Sequence, residues 1–167
     1  RDSLKPGWKR YLYEIWLNGL VSAPTTHTAN TVSNTMVRAS VGPEKGIAAG
    51  LDAIRSLATG TPRERFFGEV SADLYGSLEG LKDGVRRGIK AYQTEGLTEG
   101  LKKVEHLPAI PGKTGEIVRI PTRLLTAEDA FFKALAERSE LHTLAYRTAM
   151  QEGKRGADVA TRVAEII

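Results

Sequence analysis

The sequence predicts an all-α fold of several helices, one of them long and ridged with glycine, extended or bundle-like and assembling with neighbouring chains. Three observations predict it. Apolar residues recur at intervals of three and four through most of the chain, the spacing of one helix face. Inside one such repeat glycine returns at every fourth position, as Gly76, Gly80, Gly84 and Gly88. The stretch whose Val and Ile content permits a strand, residues 116–121, is short and has no evident partner.

Composition narrows the function classes. The 167 residues suit one domain, and 41% hydrophobic with 26% charged residues excludes collagen-like and fully disordered chains. No apolar run approaches the roughly 18–20 residues of a membrane-spanning helix. Cysteine is absent, which removes disulfides, thiolate metal sites and cysteine nucleophiles. A net charge of +4 and a pI near 9.4 are mildly basic, less than a dedicated nucleic-acid binder carries. The chain opens on Arg1 and closes on Ile166 and Ile167 within an amphipathic pattern, so it is expected to belong to a longer protein. Residues 4–21 include Lys5, Lys9, Arg10 and Glu14, unlike a signal peptide.

Taken in order, residues 1–41 hold an apolar helix and a Thr/Asn-rich one. From Trp8 to Val21, Trp8, Tyr11, Leu12 and Ile15 share a face. Tyr13, Trp16, Leu17 and Leu20 cover most of the rest, with Glu14 and Asn18 as the polar breaks. A helix apolar all round is expected to be buried or to lie at an interface. After Pro24 the run of Thr, Ser and Asn is poor in helix formers. Asn30 and Asn34, and Val32 and Met36, nevertheless stand four apart, as on a helix held inside an assembly. Gly42-Pro43 should end that element.

Residues 44–104 are read as helices. Ile47, Leu51, Ile54 and Leu57 mark the first, closed by Gly60. Thr61 as cap and Pro62 at the first position should start a long helix over 62–94, with Leu74, Leu78, Leu81, Val85, Ile89 and Tyr92 as its stripe. Its four interior glycines together cost about 4 kcal/mol relative to alanine, which implies close backbone contact with a neighbouring helix. Gly76, Gly80, Gly84 and Gly88, with Leu78, Leu81 and Val85, are therefore candidates for self-association. Gly96 and Gly100 mark a break or a second short helix to Val104.

Residues 105–121 are read as a loop. Gly112-Lys113-Thr114 within it imitates the end of a phosphate-binding loop, but Leu107 stands where that motif needs glycine and no buried strand precedes it. Residues 116–121 suit a short strand or a helix beginning near Pro121 equally. Residues 122–167 are read as C-terminal helices. Thr126, Glu128 and Asp129 look like a helix start, with the acids in the first turn. Phe131, Leu135, Ser139, His142, Tyr146 and Ala149 line one side of that helix. Val159, Val163 and Ile166 mark the last.

Candidate chemistry is sparse. No catalytic, cofactor-binding or metal-ligating set emerges: the three histidines are far apart, His142 reads as a hydrogen-bonded structural residue, and Glu137 and Glu140 read as ion-pairing. Trp8, Tyr11, Leu12, Trp16 and Leu20 are candidates for membrane or partner contact. Lys82, Arg86, Arg87 and Lys90 form a basic row able to meet DNA phosphates non-specifically, although a solvated helix face explains it as well.

Two passages carry a family resemblance. One is Tyr11-Leu12-Tyr13-Glu14-Ile15-Trp16-Leu17-Asn18-Gly19-Leu20, continuing through Pro24, His27 and Asn30 to Asn34. The other runs from Ile117-Val118-Arg119-Ile120-Pro121-Thr122-Arg123-Leu124-Leu125 through Ala127-Glu128-Asp129 to Leu135. Together they resemble the internal virion (ejection) proteins of short-tailed bacteriophages and related large polyvalent phage proteins. The resemblance implies a helical structural protein stored inside the capsid and delivered to the host cell envelope, where copies assemble into part of a genome-delivery channel; the sparse chemistry of the residues adds the expectation that this segment is not an enzyme. It implies partners in further copies, in other virion proteins, and in DNA or the host membrane. A transglycosylase domain found in some relatives has no recognisable catalytic Glu context here. A DNA- or portal-associated virion protein, and a non-catalytic linker of a large phage enzyme, are the competing expectations.

Overall fold

A computed structural model describes residues 7–94 and 109–167. Among them helix is the only regular secondary structure: α1 (Trp8–Val21), α2 (Pro24–Thr59), α3 (Gly68–Thr94), α4 (Gly112–Val118), α5 (Ile120–Gln151) and α6 (Ala157–Ile166). The expected break at Gly96 and Gly100, the helix to Val104 and the first part of the 105–121 loop lie outside the described residues. Two compact units are formed, one from the described parts of Arg1–Val32 and Arg86–Ala130, the other from Ser33–Val85 and Phe131–Ile167.

Several expected boundaries are corrected. The Thr/Asn-rich segment is helical, and Gly42-Pro43 does not end it: α2 runs through Pro43 for 36 residues. An interior proline costs about 3 kcal/mol by losing one hydrogen bond and crowding the preceding turn. Anchors on both sides hold the helix there, since Arg38 and Lys45 each bind Asp73. The helix expected over 62–94 starts only at Gly68, because side chains occupy the backbone donors ahead of it. Asp52 accepts the N–H groups of Glu64 and Arg65 at 2.7 and 2.9 Å, and Glu69 accepts that of Phe66 at 2.9 Å. Residues 112–118, expected as loop, form α4. Residues 116–121 contain no strand; they join α4 to α5, with Arg119 between. Thr126, Glu128 and Asp129 are therefore mid-helix rather than a start, and the Thr126 hydroxyl donates to the Thr122 carbonyl one turn back.

In the unit built from 33–85 and 131–167, the glycine row of α3 packs on α5 of the same chain. A Cβ on Gly76 would lie 2.7 Å from the Arg138 carbonyl oxygen and the Ser139 Cα. One on Gly80 would lie 3.1 Å from the Leu135 Cα, and one on Gly84 would meet Leu135 and Phe131 side chains at 2.8 Å. Close backbone contact, expected between copies, is thus made within the chain, and these glycines are withdrawn as a self-association surface. Gly88 is likewise buried. A second glycine row on α2, Gly42, Gly46 and Gly50, faces Val70 and Phe67 at looser distances of 3.7–3.8 Å.

The two rows predict opposite outcomes. Gly76→Ala drives a methyl into backbone and should destabilise by about 1–3 kcal/mol, the usual cost of overpacking. Gly46→Ala meets only ordinary contact and should stabilise by about 0.5–1 kcal/mol through helix propensity. Urea unfolding of the two variants beside the parent protein measures both signs.

Candidate interaction surface

What the helices bury is mostly polar or small. Among the described residues, the buried hydrophobic ones are five alanines with Leu135 and Val159, and the largest fully buried side chains are Glu69, Thr143 and Ser139. Burying such groups is favourable only when each is hydrogen-bonded.

Asp73 of α3 is the hub of the second unit. One carboxylate oxygen takes the Lys45 ammonium at 2.8 Å and the Ser139 hydroxyl; the other takes Arg38 at 3.0 Å. Lys45 donates further to Thr143 at 2.7 Å and Glu140 at 3.0 Å, so its three hydrogens are all used. Arg38 also reaches Ser77 and Ser139. Burial pushes the Asp73 carboxyl up, but the bonds from Lys45 and Ser139 and the charges of Lys45 and Arg38 outweigh it and hold its pKa below the usual value. Near the start of α3, Glu69 is 1% exposed and gripped in a fork by Arg147, at 2.6 and 3.2 Å. His142 is buried and structural, its Nε2 2.9 Å from Glu79. Glu137 and Glu140 make ion pairs, with Lys133 and Lys45.

The first unit follows the same plan. Glu14 accepts the N–H groups of Ala109 and Ile110 at 2.7 and 2.9 Å and pairs with Arg119 at 2.8 Å. Burial raises its pKa, and these bonds, Arg119 foremost, bring it below the ordinary value. Asn18 accepts the Thr122 hydroxyl. Glu128 joins His27 and Asn30, each at 2.9 Å. The sequence identified none of Arg38, Lys45, Glu69 or Asp73 as linked; no local pattern encodes contacts made across 28 to 101 residues.

The apolar residues lie outside. For α1, expected to be buried or at an interface, the buried residues are Glu14 and Asn18, while Trp8, Leu12, Trp16 and Leu20 are all more than half exposed and Tyr11 is half-buried. Ile47, Leu51 and Ile54 on α2 are 64–66% exposed. On α3, Leu78, Leu81 and Val85 are 58, 43 and 53% exposed, roughly a third of a turn round from the glycine row. Of the basic row, Lys82, Arg86 and Lys90 are exposed and Arg87 is half-buried. Gly112-Lys113-Thr114 lies in the first turn of α4.

No cluster of three or more metal-ligating side chains occurs among the described residues, and no helix there is long and apolar enough to cross a membrane. A cavity of about 630 Å³ is lined by Arg55, Arg63, Phe66 and Met150, among others. Its Arg55 is paired with Asp52 and Glu64, and Arg63 stacks on Phe66. No protein-family model, curated protein or solved structure matches the chain.

Removing the hub carboxylate should leave buried cations uncompensated. Asp73→Asn is expected to cost about 3–5 kcal/mol at pH 7 by urea unfolding. Because the folded-state pKa of Asp73 is depressed, its contribution is complete above the unfolded value near 3.9 and fades as pH falls through the lower folded value. The gap between parent and variant should therefore narrow in acid.

Proposed function

We propose that this chain is a non-enzymatic structural component of a bacteriophage virion, an internal or ejection protein that assembles with copies of itself and other virion proteins into part of a genome-delivery channel across the host envelope. One observation carries the reading: the polar and small residues are used up inside each unit, and the apolar stripes of α1, α2 and α3 are left outside. Such a chain gains stability by covering those stripes, which a monomer in water does not do. The two passages that resemble phage proteins supply the phage assignment. Storage in the capsid interior follows from that resemblance.

The test is self-association. Sedimentation velocity over a rising protein concentration should show oligomers. Leu78→Glu alters a residue already 58% exposed, so the melting temperature should barely move. It should nevertheless shift the protein towards monomer. A monomer at every concentration, for parent and variant alike, overturns the reading.

A further inference from the structure

The exposed stripes of α2 and α3 have the same spacing. Ile47, Leu51, Ile54 and Ala58 are separated by four, three and four residues, and so are Leu74, Leu78, Leu81 and Val85. Alternation of threes and fours averages the 3.5 residues that keep a seam facing a partner helix. Both stripes lie in the same unit, and all eight residues are exposed.

We propose that the α2 stripe of one copy packs antiparallel on the α3 stripe of the next. This rests on the self-assembly reading above and names its joint. The four-three-four order reads the same in either direction, so an antiparallel pairing sets Leu78 against Ile54 and Leu81 against Leu51, with Leu74 at Ala58 and Val85 at Ile47. Charge selects this direction. Glu44 is exposed one turn before Ile47, and Arg86 is exposed just past Val85. The antiparallel register brings that acid beside that base, whereas a parallel one carries them to opposite ends. Pairing α3 with α3 instead would set Arg86 opposite Asp73, whose carboxylate is buried and already taken by Arg38 and Lys45, with Ser71 and Tyr75 as the exposed neighbours. Each chain therefore carries both halves of a joint that is not self-complementary. Such a heterologous contact propagates from copy to copy and closes into a ring when the rotation permits.

The chain has no cysteine, so single cysteines report on the joint without background. Ile54→Cys protein is mixed with Leu78→Cys protein, oxidised, and compared with each variant alone on a non-reducing gel. The mixture should give several-fold more cross-linked dimer than either variant alone, because a disulfide forms only where Cα atoms approach within about 7 Å. A mixture of Ile47→Cys with Leu74→Cys, distant in this register, should not link. Linking of that second pair would make the joint parallel and overturn the proposal. Efficient linking of Leu78→Cys to itself would overturn it in favour of an α3–α3 joint, leaving self-assembly intact. Oligomers with no link in any of these samples would also overturn the joint alone. Monomers throughout overturn both readings. In a parallel assay, vesicles of phosphatidylcholine and phosphatidylserine are pelleted with protein. Binding that Leu78→Glu abolishes, with no change in sedimentation state, would make the α3 stripe a lipid contact and overturn the joint.

Discussion

Asp73 is surrounded by two cations from α2 and a hydroxyl from α5, and the packing of its unit depends on keeping all of them satisfied. A carboxylate removed from water is tolerable only with this complement of donors. The donors reach it because glycine lets α3 and α5 approach to backbone contact, which places Ser139 beside Asp73. Glycine row and ionic hub therefore imply each other. A bulkier residue in the row would open the helix pair and strand the charges, while an apolar residue at 73 would leave Arg38 and Lys45 without their common acceptor.

A core of this kind specifies an arrangement more than it stabilises one. Buried ion pairs gain little over apolar packing of similar volume, since desolvation offsets much of their attraction. The residues that would supply hydrophobic stabilisation, from Trp8 and Trp16 to Leu51 and Leu78, remain in contact with water. Helix α1 shows the inversion most plainly, because Glu14 and Asn18 are buried while Trp8, Tyr13 and Trp16 are exposed.

The passages 11–34 and 117–135 are distant in sequence, and parts of them are adjacent in space. Glu14, Asn18, His27 and Asn30 of the first bind Arg119, Thr122 and Glu128 of the second. Gly115 belongs to this arrangement, since a Cβ there would fall 2.0 Å from the Ile110 carbonyl oxygen. The polar letters of the two passages are thus one set of complementary groups, which gives a physical reason for them to occur together in a chain.

Periodicity alone determined that the chain is helical and where its apolar stripes run, because 3.6-residue spacing is a local property of sequence. It also marked the glycine row as a place of close approach. Which way each helix turns was decided only by tertiary structure. The stripe of α3 and its glycine row are both continuous helical faces, and nothing local distinguishes the face that meets α5 from the face that meets water. The choice fell to Asp73, Glu69 and Glu14, whose partners come from distant helices, because a buried charge without its partner costs more than an exposed leucine. Arg38 and Lys45, the partners of Asp73, hold α2 on both sides of Pro43, and His27 and Asn30 engage Glu128 in mid-helix rather than at the expected helix start.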